Sequence, residues 1–426
     1  MISDSKKEAI KQSLKETKQK RKSQSCHVYD VKIVKNKLNT TQKEQITRLF
    51  LEAKWFYNYC LDQLNEKKTP LSEIDTKINH VQIKNQLGKY EERWLLYLSS
   101  QMKQGIVSEI KTSLKALKTA KEHGLKVGAL QYKNYCNSIP LKQKNITYKI
   151  LSKNKIRVQN FDKSFIVRGL EQFINIPHDL ANAKLIRKAD GFHIFITCYL
   201  PKAPTNPVYD SIIGVDFGIG FDFVLSDGTK FKYKLQETDR LKYLQRKLST
   251  LKKGSKQFNN TKKAIKREYD HMNNIKDDLA NKFVNYLKKF KIVVIQDENI
   301  SGWHKGLFGK AVQHSILGRV KDRLLRLPNV VILSRFLPTS KLCFDCGTLK
   351  QDLKLKDRVF CCSCNHKKHD RDVHAAQCMV WMYNNDFIDD SAVKAVKSIK
   401  RSTVRNEWSN KLISKTEINL LEAATL

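Results

Sequence analysis

The chain has 426 residues, with 80 Lys+Arg against 42 Asp+Glu and a net charge of +38. That length allows about two to four domains of roughly 100–200 residues each, and so large a positive surplus calls for a polyanion, nucleic acid ahead of a membrane surface. No run of about 18 apolar residues marks a spanning helix, the polar, Lys-rich first 25 residues do not read as a secretory signal, and five of the ten cysteines fall between Cys343 and Cys364, a spacing that favours metal in a reducing cytoplasm over a disulfide scaffold.

Residues 1–25 read as a basic arm, disordered until bound. His27 to Val34 alternates like a strand, and Thr41-Gln42-Lys43-Glu44 reads as a capping box. Ile46, Leu49, Ala53, Tyr57, Cys60 and Leu64 then recur at helical spacing. Near the end of that helix, Trp55, Phe56, Tyr57 and Tyr59 beside Lys54 suit base stacking for some and core packing for at least half. A second helix runs from about Ser100 to Gly124 on the stripe Met102, Ile106, Ile110, Leu114 and Leu117, and Gly124 suits its stop. Lys103, Lys111, Lys115 and Lys118 mark its other face, either solvated or against phosphate.

Residues 145–200 read as strands, with turns at Asn154-Lys155 and Asp190-Gly191. The first half is therefore a β-barrel or small sheet interrupted by a helical insertion at about 40–125, and Pro201 to Pro207 is a linker. In the second half, Ile212 to Val215 leads to Asp216, Phe221 to Ser226 and Thr229 to Tyr233 form two more strands, and a helical hairpin follows. Its first helix carries Leu241, Leu244, Leu248 and Leu251; its second carries Ile265, Met272, Leu279 and Tyr286 beside Ile275 and Phe283. The basic loop Lys252-Lys253-Gly254-Ser255-Lys256 joins them. A buried strand at Ile292–Ile295, one helix from about Lys310 to Leu327, a strand at Val330–Leu333 and a last helix from near Asp372 complete the order. Three strands in meander, then helix, strand, helix, strand, helix is the chain order of a ribonuclease-H-like fold, with the cysteine module inserted before the last helix. Residues 386–426 form a mixed-charge tail.

The chemistry concentrates in three hydrophobic-then-acidic elements. Two-metal phosphodiester hydrolysis needs carboxylates that hold ions about 3.5–4 Å apart, and Mg²⁺ takes oxygen ligands. Asp216 at a strand end suits this, and Gly218 and Gly220 after it would let a phosphate backbone approach. Asp372 starts a helix and is preferred over Asp370, because Val373, Ala375 and Ala376 begin the packing face directly after it. Along the middle strand, Gln296 and Glu298 share one face and Asp297 takes the other. Gln296 offers no charge, so Glu298 is the candidate ligand; the alternative leaves it solvated and the site weakened.

Cys343-x2-Cys346 and a second pair, Cys361 with Cys364 or Cys362 with Cys364, suit one structural Zn²⁺. The x2 spacing favours Cys361. His366, His369 and His374 read as phosphate or base contacts, or plain surface. Trp303, Lys305 and Lys310 lie in a Gly-rich basic loop placed to hold a strand near the metals, and Arg371 and the loop lysines Lys252, Lys253 and Lys256 are further nucleic-acid candidates.

These residues resemble the TnpB family of transposon-encoded proteins related to compact type V CRISPR nucleases. Gly214-Val215-Asp216-Phe217-Gly218 is similar to the first RuvC motif, Asp370-Arg371-Asp372-Val373-His374-Ala375-Ala376 to the third, and the cysteines to the zinc ribbon between. Lys54-Trp55-Phe56-Tyr57-Asn58 is similar to the family's N-terminal Arg-Phe-x-Tyr-Asn segment. The family's second motif usually reads Glu-Asp-Leu-Asn; here it reads Gln296-Asp297-Glu298-Asn299, with the carboxylate relocated to Glu298. His374 and Asn365 stand where Asn and Gly are usual. The resemblance implies a multidomain α/β protein: a wedge β-barrel with helical recognition insertion over 26–205, a RuvC nuclease domain over 206–340 and 369–385, and a zinc ribbon over 341–368. It implies an RNA-guided, Mg²⁺-dependent DNA endonuclease of a prokaryotic, nucleoid-associated kind, with guide RNA and target DNA as partners. Asp216, Glu298 and Asp372 would hold Mg²⁺. The alternatives are a cleavage-deficient RNA-guided DNA-binding repressor and a DNA strand-transfer transposase.

Overall fold

Helix α1 (Asp4–Lys22) opens the chain, in place of the disordered arm expected over 1–25. Lys, Gln, Glu and Ala are helix formers whatever their charge, and Lys20 and Arg21 tie the helix end down, Lys20 to Asp179 at 2.7 Å and Arg21 over the Tyr199 ring at 4.2 Å. The computed structural model describes residues 4–84, 88–172, 178–201, 207–233, 235–354 and 356–389. The expected linker core at 202–206 and nearly all of the tail after 385 lie outside them. The chain forms two compact units, residues 1–203 and 204–426. Among the described residues no helix is long and apolar enough to cross a membrane.

The first unit after α1 comprises β1 (Gln24–Ile33), α2 (Thr40–Asn65), β2 (His80–Lys84), β3 (Tyr90–Trp94), α3 (Ser100–Glu122), β4 (Ser138–Leu141), β5 (Tyr148–Ser152), β6 (Lys155–Val158), β7 (Phe165–Arg168), β8 (Asp179–Lys188) and β9 (Gly191–Pro201). An antiparallel seven-stranded sheet runs β4-β8-β9-β1-β7-β6-β5. It curls into a nearly closed barrel, and the Tyr148 hydroxyl of β5 donates to the Ala181 carbonyl of β8 at 2.5 Å across the remaining gap. The insertion between β1 and β4 holds α2, α3 and the unexpected hairpin β2–β3.

The cap of α2 is Asn39 rather than Thr41, and its reciprocal partner is Gln42. Asn39 precedes the first helical residue, so its side chain reaches the Gln42 amide at 2.7 Å, which Thr41 inside the helix would not. Lys103 is not on a phosphate-facing side of α3: it is buried and donates to the Ile78 carbonyl at 2.6 Å, whereas Lys111, Lys115 and Lys118 are exposed.

The second unit comprises β10 (Tyr209–Phe217), β11 (Phe223–Leu225), β12 (Lys230–Phe231), α4 (Asp239–Thr250), α5 (Lys256–Leu287), β13 (Phe290–Gln296), α6 (Ile300–Lys305), α7 (Gly309–Gln313), α8 (Leu317–Leu324), β14 (Val330–Leu333), β15 (Val359–Cys361), β16 (Lys368–Asp370) and α9 (Arg371–Asn384). The sheet order is β12-β11-β10-β13-β14, with β10, β13 and β14 parallel. Buried on both faces, such strands read as continuous apolar runs. One face packs on Phe283 and Leu287 of α5 and Leu317, Val320 and Leu324 of α8. The other packs on Cys378, Met379 and Met382 of α9.

Two helical expectations change. The single helix at 310–327 is two, because the Ser315 hydroxyl donates to the Val312 carbonyl and accepts from the Leu317 amide, local bonds that compete with the helix. Ile275 lies off the core side of α5, which is instead lined by Met272, Ala280, Phe283, Val284 and Leu287.

Candidate active site and cysteine knuckle

Asp216 is fixed by the centre of the sheet. In the ladder it faces Val224 of β11, while its neighbour Val215 faces Ile295 of β13. Behind it, Gly218 closes the turn to β11, where a Cβ would meet the Phe221 carbonyl at 2.8 Å; around Gly220 there is open space. Gly218 is thus needed by its own turn rather than by a phosphate.

Asp372 comes from the first turn of α9. Its rival Asp370 is the helix cap: one oxygen accepts from the amides of Asp372 and Val373 at 3.1 and 3.2 Å, and the other pairs with Lys230 at 2.7 Å. Asp370 is therefore committed to structure, and the Asp372 carboxylate faces Arg371 at 3.3 Å and Arg358 at 3.8 Å.

Glu298 does not lie on β13, which ends at Gln296. Gln296 is 5% exposed and its side chain is fully engaged. Its amide donates to the carbonyls of Ser334 at 3.0 Å and Leu337 at 2.8 Å, and its oxygen accepts from the Thr339 hydroxyl at 3.0 Å. Strand alternation therefore does not put Gln296 and Glu298 side by side as expected. Past the strand end, the Glu298 amide closes on the Gln296 carbonyl at 2.8 Å, which turns the chain. Asp297 then pairs with Lys321, at 2.6 Å, and with Arg335. Lys321 also donates to the Glu298 carbonyl at 2.7 Å.

Asp216 feels the charges of the other two carboxylates. Burial raises the Asp216 carboxyl well above its usual range, and the Asp372 and Glu298 charges raise it further against the pull of Arg371. Burial likewise raises Glu298, opposed by Lys321 and Arg335. Neither the Asp216 nor the Glu298 carboxylate has a hydrogen-bond or ion-pair partner among the described residues. A half-buried carboxylate that feels two other acids and has no protein partner is a centre of negative potential. That donor set fits a hard divalent cation.

The knuckle gathers Cys343, Cys346, Cys362 and Cys364, whose sulfurs lie within 4.8 Å of one another. Cys343 is 3.7 Å from Cys364, and Cys346 is 3.5 Å from Cys362. Four thiolates at this spacing can hold a structural metal such as zinc and leave no open position. The fourth cysteine of the cluster is Cys362, not Cys361. Cys361 ends β15 and alternates with buried Phe360, so Cys362 returns to the Phe360 side, where Cys343 and Leu353 pack.

His374 is not a surface contact. It is 1% exposed and stacked between Phe360, at 3.7 Å, and Phe344, at 4.9 Å between centroids. It thereby packs the knuckle onto the helix that carries Asp372.

The other nucleic-acid candidates divide. Trp55 is buried between Arg48 at 4.6 Å and Arg93 at 5.5 Å, and Lys133 covers the buried Tyr57 ring at 3.7 Å, so neither presents a face to a base. Trp303 packs against the sheet core. Lys252, Lys253, Lys256, Lys305 and Lys310 are exposed, and Lys54 is half-buried. Arg371 turns to Asp372 and to the Lys354 carbonyl. Lys321, Arg335 and Arg358 were missed; no sequence pattern links them to the acids they meet, which lie 14 to 38 positions away.

Residues 328–379, which span β14, the knuckle and the first part of α9, match the family described as Cas12f1-like, TNB domain. A Streptomyces pristinaespiralis protein named "Putative RNA-guided DNA endonuclease" is 29% identical over 200 residues, 45% of this chain and 49% of that relative. The aligned part is about half the length of each.

Proposed function

We propose that this chain, whose matches support a TnpB/Cas12f-like family, is an RNA-guided DNA endonuclease with a RuvC-like, ribonuclease-H-type second unit. The observation that carries the reading is Asp216 at the end of β10, a half-buried carboxylate without a protein partner that feels the charges of Asp372, from α9, and Glu298, from the turn after β13. Mg²⁺ bound there would polarise a phosphodiester and supply an activated water.

The protein's own part is to hold the carboxylates in place. Asp216 is anchored by the sheet ladder, and Asp372 by its helix and flanking arginines. Lys321 grips the turn through Asp297 and the Glu298 carbonyl, which leaves the Glu298 carboxylate unengaged. The knuckle takes the structural zinc. The basic surface, including Lys252, Lys253, Lys256, Lys305 and Lys310, supports contact with guide RNA and DNA, with base pairing as the reader of sequence.

The test is cleavage of matched DNA in Mg²⁺ by the ribonucleoprotein carrying RNA from its own locus. Wild type is expected to cut, and Asp216→Ala to bind without cutting. Guide-dependent binding without cutting by wild type would leave a repressor-like binder, and guide-independent strand transfer would favour a transposase.

A further inference from the structure

A cleft of about 860 Å³ in the second unit is lined by α5, the turn carrying Glu298 and the 312–319 segment. Its cations are not equivalent. Arg319 is paired with Asp277 at 2.6 Å, and Lys321 and Arg335 with Asp297. Lys276 is 8% exposed and has no carboxylate partner among the described residues; its ammonium donates to the Gln313 carbonyl at 2.5 Å. An ammonium has three donors, so two remain.

Beside it stands His314, at the break between α7 and α8. Its Nδ1 makes no hydrogen bond, so no protein group fixes the ring's tautomer from that side. Burial lowers the basicity of both groups; Arg319 lowers that of Lys276 further, and Lys276 and Lys310 lower that of His314 against the pull of Glu237. Helix α8 starts at Leu317, whose amide donates to the Ser315 hydroxyl; its N-cap Ile316 offers no side-chain acceptor, and Gly318 of its first turn lines the cleft. A buried lysine without a counterion, a histidine with a bare ring nitrogen and the first turn of α8 together make a corner of hydrogen-bond donors, and such a corner favours an anion.

We propose that this corner is a phosphate-binding site for one backbone phosphodiester of a nucleic-acid strand. Lys276 is the charged donor, His314 the second donor and the first turn of α8 the third. Glu298 opens on the same cleft, so a strand held at Lys276 is led past the carboxylates. The identity of that strand as substrate rests on the nuclease reading; phosphate binding does not. The alternative role for Lys276 is a strut between α5 and Gln313.

The test uses the full chain free of RNA, with ¹⁵N-labelled histidine and the His314 ring signal assigned through His314→Gln. It is titrated with the dinucleotide dTpdT, with inorganic phosphate and with uncharged thymidine. The proposal expects a saturable His314 shift with dTpdT and none with thymidine. Lys276→Met should weaken it about tenfold or more, the loss of one charge-assisted hydrogen bond, whereas Lys276→Arg should largely keep it. A mere strut would leave the response to dTpdT unchanged in a folded Lys276→Met. No saturable shift, or one unchanged in Lys276→Met, overturns the site. A shift with phosphate but not with dTpdT overturns the strand assignment. Cleavage plays no part in this readout, so the Asp216→Ala chain should respond as wild type even if the nuclease reading fails.

Discussion

Gly214 and Ala376 are in direct backbone apposition: a Cβ on Gly214 would lie 2.1 Å from the Ala376 carbonyl oxygen. Gly214 and Asp216 share one face of β10, since side chains alternate along a strand. The glycine therefore lets α9 settle beside the face from which Asp216 projects, with Asp372 one helical turn before Ala376. The Gln377 side chain, which donates to the Ser226 carbonyl at 3.2 Å, holds the helix there.

Gly214→Ala should push α9 off the sheet. Overpacking of this kind costs roughly 1–3 kcal/mol, measurable by urea unfolding, and cleavage should fall further than DNA binding does. Wild-type stability in this variant would show that α9 does not rest where described.

Gln296→Glu introduces the residue usual in the TnpB motif that this segment resembles, and should still harm the protein. The Ser334 and Leu337 carbonyls would keep only backbone donors, the Leu337 and Thr339 amides, and would face a buried carboxylate in place of an amide. A buried polar group left facing acceptors costs about 1–3 kcal/mol, more when charged, and cleavage should not rise. A Gln296→Glu chain as stable as wild type and faster at cutting would contradict this.

Metal content separates the adjacent cysteines. Cys362→Ser should lose the zinc and Cys361→Ser should keep it, as read by elemental analysis of the purified chain. Chelation should also loosen the Phe344–His374–Phe360 stack and so the start of α9.

The barrel carries its own acid sensitivity. His193, 5% exposed, places Nδ1 at 2.6 Å from Asp30 and Nε2 at 3.0 Å from Asp190. Burial pushes the Asp190 carboxyl up, but the Lys32 hydrogen bond and the His193 charge outweigh it and bring it down to about 2. Burial also opposes the fall at Asp30, where His193 and Lys188 win. A carboxyl depressed in the folded state stabilises above its unfolded value, about 3.9, and that contribution is lost as pH falls towards 2. Thermal stability should therefore fall between about pH 4 and pH 2, and Asp190→Asn should flatten that part of the profile. An unchanged profile would mean that the cluster contributes nothing.

Much of this was legible because it is local. Ile212–Val215 and Ile292–Ile295 read as buried strands from apolar runs alone, and both are central strands. The Met102, Ile106, Ile110 stripe reads as a helix face and is buried. What failed depends on distant partners. The role of Gln296 is set by residues 38 to 43 positions later, and alternation could not foresee that the strand stops before Glu298. Trp55 and Tyr57 look like stacking residues until the cations that cover them, from elsewhere in the chain, are seen.

The central claim is that Glu298 supplies the third carboxylate. The direct measurement is guide-directed DNA cleavage in Mg²⁺ by Glu298→Gln and Gln296→Ala, with DNA binding measured in parallel. Removing a carboxylate that acts on the reacting phosphate should cost about 10²-fold or more in rate. Glu298→Gln should thus bind as wild type and nearly cease to cut, while folded Gln296→Ala should still cut. Undiminished cutting by Glu298→Gln, with cutting lost in folded Gln296→Ala, would contradict the account.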